Sequence, residues 1–125
     1  MTREFILNTL LEYKQDPSKC AVNNGRCMYL DPKTGNKDSV GKHLIDGKHQ
    51  SVLGGINILF FFYRPEEILT KEAFNQKIQI EVWKIIQDYH DYMAFKNYRA
   101  VNNIVNRLES HTNFKFPELR YEETT

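Results

Sequence analysis

The amino-acid sequence predicts a single α+β domain in which a small antiparallel β-hairpin or sheet packs against three or four helices. Two observations support this fold class. Two stretches with apolar residues at three- and four-residue steps lie in the second half of the chain, and an alternating stretch followed by turn residues lies between residues 25 and 37. The length of 125 residues is near the commonest size of one domain, so we expect residues 1–125 to share one core.

Composition and charge favour a globular protein without a nucleic-acid partner. The 17 basic and 16 acidic residues leave a formal net charge of +1, whereas reliance on phosphate contacts usually brings a clear basic excess. The N-terminal sequence lacks the long apolar segment and cleavage site of a signal peptide. The longest apolar run is shorter than the roughly 20 residues that span a bilayer. We therefore expect a cytoplasmic protein with reduced thiols and no membrane association.

The first predicted element is a helix from Thr2 to about Lys14. Thr2 has the side chain of a helix N-cap, and apolar residues follow it at helical spacing. The sequence Asp-Pro-Ser at 16–18 ends this helix, because a proline disfavours helical geometry in the residue before it. We expect an extended link over residues 19–24, closed by an Asn-Gly turn.

A β-hairpin is predicted to follow the Asn-Gly turn. Residues 26–30 alternate as the two faces of a strand do. The sequence Asp-Pro-Lys-Thr-Gly at 31–35 has turn chemistry, because its proline is preset for the first central position and its glycine accepts a positive φ. The return strand is expected to begin at Asn36 and Lys37.

A short helix is predicted to begin at Asp38 or Ser39, since either residue has the side chain of an N-cap. Gly41 lies inside this helix, where a glycine costs up to about 1 kcal/mol relative to alanine. A close contact between the helix and a strand, in a space without room for a side chain, would offset that cost. The position of Gly41 therefore predicts that the two elements approach closely.

A largely apolar run occupies residues 56–63, between two glycines and Pro65. Its length and aromatic content suit a buried strand, although periodicity does not separate a strand from a short core helix. In a strand, alternate rings point in opposite directions, so a second layer or a partner must cover the far face. The run is therefore either core or an interface with another protein or a second copy of the chain. The candidate interface residues are Phe60, Phe61, Phe62 and Tyr63.

The second half of the chain carries two helical patterns. The first begins near Thr70 and continues to about Lys96, with one apolar stripe. Asn97 has a capping side chain and starts the second helix. The short connection makes the two helices antiparallel neighbours. Phe114 and Phe116 in the tail are expected to dock back onto the domain.

The two cysteines give no zinc pattern. Cys20 and Cys27 lie seven residues apart, and no second Cys or His pair follows at ligand spacing. We therefore predict no metal, and no motif indicates a cofactor. Isolated cysteines usually act as small apolar groups. The alternative is a nucleophilic Cys27 assisted by His43 or His90, which requires a lowered thiol pKa.

A polar group is predicted on the long C-terminal helix. Gln87 lies one helical step from both His90 and Asp91. A histidine beside a carboxylate can perform acid–base chemistry or supply half of a metal site, and it can equally form a buried polar network that fixes a helix. We favour the network, because no second histidine or carboxylate cluster accompanies it. The complete candidate polar cluster is Cys27, His43, Gln87, His90 and Asp91.

Three stretches of the chain resemble a loose group of small uncharacterised proteins encoded by phages and prophages. They are residues 25–29 (Gly-Arg-Cys-Met-Tyr), 35–41 (Gly-Asn-Lys-Asp-Ser-Val-Gly) and 87–91 (Gln-Asp-Tyr-His-Asp). In that group a Cys-x-Tyr strand, a glycine-containing turn, a Lys-Cys-Ala-Val-Gly-like helix start and a Leu-Gln-x-x-His-Asp helix recur in this order. The second cysteine of that pattern is Asp38 here, which argues against a two-thiol metal or redox role. The resemblance implies a mobile-element protein acting in the cytoplasm of a bacterial host.

These observations favour a non-catalytic accessory protein of a phage or related element. We expect it to bind a host or viral protein and to counteract a host defence, because the chain is rich in aromatic residues and lacks a catalytic constellation. One alternative is a small enzyme or ligand-binding protein, for which Cys27, His43, His90 and Asp91 must converge around a cleft. Another is a weak nucleic-acid-binding module that uses four lysines of the 33–48 region.

Overall fold

The computed structural model describes residues 1–45 and 54–122, which form six α-helices and a two-stranded antiparallel sheet. This confirms the predicted α+β fold class. The helices are α1 (Arg3–Gln15), α2 (Ile56–Phe62), α3 (Pro65–Ile68), α4 (Lys71–Asn75), α5 (Ile80–Ala94) and α6 (Tyr98–Thr112). The strands are β1 (Val22–Asn23) and β2 (Arg26–Cys27), and 3₁₀ turns occur at Pro17–Lys19, Gly41–His43 and Pro117–Leu119. Within the described ranges, no helix has the length and apolar character needed to cross a membrane.

Helix α1 begins and ends where the sequence predicts. The Thr2 hydroxyl accepts a hydrogen bond from the backbone N–H of Phe5, and the helix ends before Pro17. The apolar face of α1 packs against α5 and is buried. At the end of this face, the Tyr13 hydroxyl donates to the carbonyl of Lys37 at 2.6 Å, which ties α1 to the loop after β2.

The hairpin forms, but its main turn is not the predicted one. Strands β1 and β2 pair across Asn24 and Gly25, which have φ angles of 54° and 73°. Two successive residues with positive φ suit a two-residue hairpin turn, whose twist matches that of the strands. The predicted return strand is reduced to a single bridge between Leu30 and Lys37. There the Asp31 side chain accepts hydrogen bonds from the loop itself, so the loop is held without a longer ladder.

The strand expected over residues 56–63 is wrong, and the alternative of a short helix is correct. In α2, helical spacing buries Ile56 and Leu59 in the core. The same spacing leaves Phe61 and Phe62 exposed. The helix forms because burial of one face against α5 outweighs the β preference of aromatic residues.

The single long helix expected from Thr70 is also wrong, because it is divided into α4 and α5. Thr70 caps α4 as predicted. Residues 76–79 then interrupt the helix, with Lys77 in a left-handed conformation at φ 54°. The Gln76 side-chain oxygen accepts hydrogen bonds from both the backbone N–H and the hydroxyl of Thr2, so the break also anchors the start of α1.

Helices α5 and α6 form the predicted antiparallel pair. The Asn97 side chain accepts from the backbone N–H of Ala100 and caps α6, as the sequence indicates. The tail docks back as expected, with Phe116 fully buried and Phe114 packed against the core. The Tyr89 hydroxyl of α5 donates to a tail carbonyl at 2.9 Å, which fixes the tail beside the helix pair.

Candidate functional site

Segments from four parts of the chain enclose a cleft of about 590 Å³, which we name the Asp38 cleft. One wall is β2 with the residues on either side of it, and the opposite wall is α5. Residues 25–29 line the cleft, as do Asp38 from the 35–41 stretch and Gln87 and Asp91 from the 87–91 stretch, so the three stretches singled out in the sequence meet here. The residues that line the cleft include Cys27, Tyr29, Asp38, Gln87 and Asp91.

The 3₁₀ turn at Gly41–His43 lies directly against the backbone of Tyr29. A Cβ atom on Gly41 would lie 2.0 Å from the Tyr29 carbonyl oxygen, which leaves no room for a side chain. The close approach predicted from Gly41 is therefore confirmed. The backbone N–H of Asp38 donates to the same carbonyl, and the Ser39 hydroxyl donates to the carbonyl of Ile86 on α5 at 2.7 Å. This turn thus joins both walls of the cleft.

The Asp38 carboxyl is buried at the base of the cleft, with 1% of the residue exposed. Its Oδ1 accepts hydrogen bonds from the backbone N–H groups of Val40 and Gly41. Its Oδ2 lies 3.5 Å from Nε2 of Gln87, a long contact that leaves acceptor capacity unused. Burial raises the pKa of Asp38 to about 6. In the sequence, Asp38 and Ser39 were alternative helix caps, and no local signal indicated that Asp38 would be buried.

His90 is fully buried behind the cleft, and hydrogen bonding determines its protonation. Its Nε2 lies 2.9 Å from the backbone nitrogen of Ala21. Since a backbone N–H always donates, Nε2 is the acceptor and carries no proton. The remaining proton is therefore on Nδ1, which donates to Oδ1 of Asp91 at 2.9 Å. Nε2 thus joins the segment before β1 to α5, and Nδ1 holds the ring to its neighbour on the same helix, which is the structural role predicted for this group.

Cys27, His90 and Asp91 form a cluster whose potential ligand atoms lie within 4.8 Å of one another. These distances suit a metal, but the protonation of His90 opposes one. If Nδ1 bound a metal, the ring proton would have to move to Nε2, which faces the N–H of Ala21. In addition, burial and the neighbouring Asp91 carboxylate raise the pKa of the Cys27 thiol, which disfavours the thiolate that a metal requires.

The proposed nucleophile lacks the properties that it needs. A reactive Cys27 requires a lowered pKa, whereas its surroundings raise it. His43 lies apart from this cluster, where its ring stacks on Phe5 at 4.6 Å and its Nε2 lies 2.9 Å from the Thr9 hydroxyl. Burial lowers the pKa of His43 to about 4, so this imidazole is neutral. The structure therefore brings together four of the five predicted polar residues and excludes His43.

Tyr29 is the cleft residue whose importance the sequence did not indicate. The residue is 4% exposed, and its hydroxyl makes no hydrogen bond of normal geometry within residues 1–45 and 54–122. Burial raises the pKa of this hydroxyl, and the nearby Gln87 side chain partly opposes that shift, so Gln87 is a neighbour of Tyr29 without forming a normal hydrogen bond. Leaving a buried hydroxyl unpaired costs about 1–3 kcal/mol, so buried hydroxyls in native proteins are normally paired with protein, with ordered water or with a bound group. Since Tyr29 lines the cleft, a bound molecule would be able to supply the missing partner.

The predicted aromatic interface is divided by the helical geometry of α2. Phe60 and Tyr63 are partly buried against the core. Phe61 and Phe62 are 79% and 67% exposed, and their rings meet edge to face with centroids 5.2 Å apart. Within the described residues, this face of α2 is therefore open rather than covered.

The lysines considered for nucleic-acid binding do not form one free patch in the described part of the chain. Lys42 is partly buried, and its amine pairs with Glu12 and donates to the carbonyl of Thr9. Lys48 lies outside the described residues. The weak nucleic-acid-binding alternative thus gains no support from the position of Lys42.

Similarity to known proteins assigns no family to the chain. The sequence matches no protein-family model, and no similar chain was found among curated proteins or solved structures. The function must therefore be inferred from the geometry of the Asp38 cleft and from the open face of α2.

Proposed function

We propose that the protein is a non-catalytic binding module whose Asp38 cleft holds a small molecule. The observation that carries this proposal is Tyr29, a residue of the cleft wall whose buried hydroxyl makes no hydrogen bond of normal geometry in the described chain. The cleft volume of about 590 Å³ falls within the range of ligand pockets. Apolar side chains from Met28, Leu30 and Phe95 accompany the polar groups, and such a mixture is typical of small-molecule sites.

The absence of an activated nucleophile supports binding rather than catalysis. Covalent catalysis requires a nucleophile beside a base that can take its proton. In the described residues, the thiol of Cys27 has a raised pKa, and the His90 imidazole beside it uses both nitrogens for the fold. A binding role needs neither group to titrate.

A fragment screen monitored by amide and side-chain chemical shifts tests the proposal. We expect ligands to shift the signals of Gly54, Gly55 and the Gln87 side chain, all of which line the cleft. Replacing Met28→Trp should fill the cleft and remove these shifts. The control Phe62→Ser alters an exposed ring outside the cleft and should leave them unchanged. Fragments that shift no cleft signal, or that bind the Met28→Trp variant equally well, would contradict the proposal.

A second candidate function is binding of a protein partner through the exposed Phe61 and Phe62 rings. Adjacent exposed aromatic side chains are typical of interaction surfaces. A host or viral partner, and a role in counteracting a host defence, are the expectations drawn from the phage resemblance. Sedimentation of the wild type and of a Phe61→Ser/Phe62→Ser variant over a range of concentrations tests self-association. Affinity capture from a bacterial lysate with both proteins tests a foreign partner.

Binding of a protein partner through this surface requires that the wild type and the double variant differ in their association. The wild type should either self-associate or retain a stoichiometric partner, and the double variant should lose that association while keeping its helical circular dichroism. Identical sedimentation and identical capture by the two proteins would exclude this surface.

A further inference from the structure

The buried polar side chains that line the Asp38 cleft, Asp38 and Tyr29, offer acceptors to a ligand, whereas the donor-bearing side chains of Asn24 and Arg26 are exposed. Among residues 1–45 and 54–122, Oδ2 of Asp38 has the long contact with Gln87 as its hydrogen-bonding interaction. The Gln87 side chain lies beside the Tyr29 hydroxyl, and the Asp91 side chain, which also lines the cleft, remains 32% exposed. The Tyr29 hydroxyl can accept as well as donate. A ligand that satisfies these atoms must therefore bring hydrogen-bond donors.

The charge of the cleft points in the same direction. Asp38 and Asp91 are its two carboxylates, and Arg26 is the one basic side chain among the described lining residues. Arg26 lies on β2 and is exposed. In the described part of the chain, the groups that hydrogen bond to the Asp38 carboxyl are two backbone N–H groups and the Gln87 amide, all of them uncharged. A buried carboxylate without a cationic partner attracts a positive charge more strongly than an exposed one does.

We infer that the cleft binds an organic cation with a planar amidinium or guanidinium group on an apolar body. This inference rests on the proposed function. The planar group presents several N–H donors in one plane, which matches a carboxylate and neighbouring oxygen acceptors. Asp38, Gln87 and Tyr29 supply these acceptors. The apolar body would lie against the Met28 and Phe95 side chains, which also line the cleft.

Three probes with the same ring separate charge from shape: benzamidine is a cation, benzamide is neutral and benzoate is an anion. Each is titrated into ¹⁵N-labelled protein at pH 7.5, and chemical shifts of Gly54, Gly55 and the Gln87 side chain are followed. We expect benzamidine to bind in the cleft at least tenfold more tightly than benzamide. Benzoate should cause no shift at these positions.

Charge-removing variants test the role of the carboxylates. Asp38→Asn should weaken benzamidine binding at least tenfold, and Asp91→Asn provides the same test if the first variant fails to fold. The matched control is Asp88→Asn, which removes a negative charge from α5 on the side where Asp88 pairs with Arg107 rather than facing the cleft. The control should bind benzamidine as the wild type does.

The possible results show whether the cationic ligand class is wrong or whether the proposed binding function itself is wrong. If benzamide or benzoate binds in the cleft as tightly as benzamidine, the cationic class is wrong and the proposed binding function stands. Equal losses in Asp38→Asn and Asp88→Asn would also overturn the cationic class, because a general charge effect would then explain the binding. If neither these probes nor a broader fragment set binds in the cleft, both inferences are overturned.

Discussion

Replacing Gly41→Ala tests whether the close packing at the base of the cleft is required for the fold. The added Cβ would lie 2.0 Å from the carbonyl oxygen and 2.8 Å from the carbonyl carbon of Tyr29. It would also lie 3.1 Å from Oδ1 of Asp38. Because the nearest atoms are backbone, no side-chain rotation can relieve the contact, and the turn must separate from Tyr29 by more than an ångström.

The expected loss of stability in Gly41→Ala is the net result of one favourable effect and two unfavourable effects. Alanine is favoured over glycine in a helical turn by about 1 kcal/mol. Overpacking costs about 1–3 kcal/mol, and displacement of the turn also strains the hydrogen bonds that Asp38 accepts, each worth about 1.5–3 kcal/mol for a charged acceptor. We therefore expect Gly41→Ala to lower the free energy of unfolding by about 3 kcal/mol.

Urea denaturation followed by circular dichroism measures this loss, and Gly35→Ala is the matched control. Gly35 has a φ of +77° and open space where its Cβ would be, so alanine there suffers conformational strain without a clash. That strain costs about 1–2 kcal/mol. If Gly41→Ala is no less stable than Gly35→Ala, the turn does not depend on the contact with Tyr29, and the described basis of the cleft is incorrect.

Three further predictions concern the polar groups of the cleft. Because the folded pKa of Asp38 is raised from 3.8 to about 6, its contribution to stability is greatest below pH 4 and is lost as pH rises through 6. In urea titrations, the wild type should lose about 1 kcal/mol more than Asp38→Asn between pH 5 and pH 8. The Cys27 thiol, with its raised pKa, should react with iodoacetamide at pH 8 more slowly than free cysteine, and Asp91→Asn should accelerate the reaction measured by mass spectrometry. Tyr29→Phe should leave the unliganded protein as stable as the wild type or more stable by about 1 kcal/mol in urea unfolding, because it removes an unpaired buried hydroxyl.

Local signals in the sequence predicted the elements whose ends depend on neighbouring residues. Thr2 and Asn97 both cap the helices assigned to them. The docking of Phe116 also followed from an aromatic residue in a polar tail. Each cap bonds to a backbone group a few residues away in the chain. For Phe116, an apolar ring in a polar tail can be buried only by packing on the domain.

The incorrect predictions share a dependence on distant contacts. The run in α2 is apolar at nearly every position, so burial of Ile56 and Leu59 against α5 decides its helical form. The break between α4 and α5 has no glycine or proline to mark it. It is stabilised by Thr2, which lies 74 positions before Gln76 in the chain. No window of local sequence contains these contacts.

The candidate site shows the same division between local and distant information. His90 and Asp91 are adjacent in sequence, so their hydrogen bond was foreseen as a structural network. That Ala21 would occupy the other imidazole nitrogen depends on how β1 docks beside α5. For that reason the sequence left acid–base and metal roles open, and the hydrogen bond from Ala21 argues against both.

The polar groups around the cleft divide into those that the fold uses and those that it leaves available. Nε2 of His90 and the Ser39 hydroxyl connect other segments to α5, and Nδ1 of His90 bonds to Asp91 on the same helix. Tyr29 and Asp38 line the same cleft, and within the described ranges the Tyr29 hydroxyl makes no normal hydrogen bond and Oδ2 of Asp38 makes one long contact. Burying such groups lowers stability unless something outside the described chain compensates them. A cation held in the cleft would compensate both, so the same two groups should determine ligand affinity and reduce the stability of the unliganded fold.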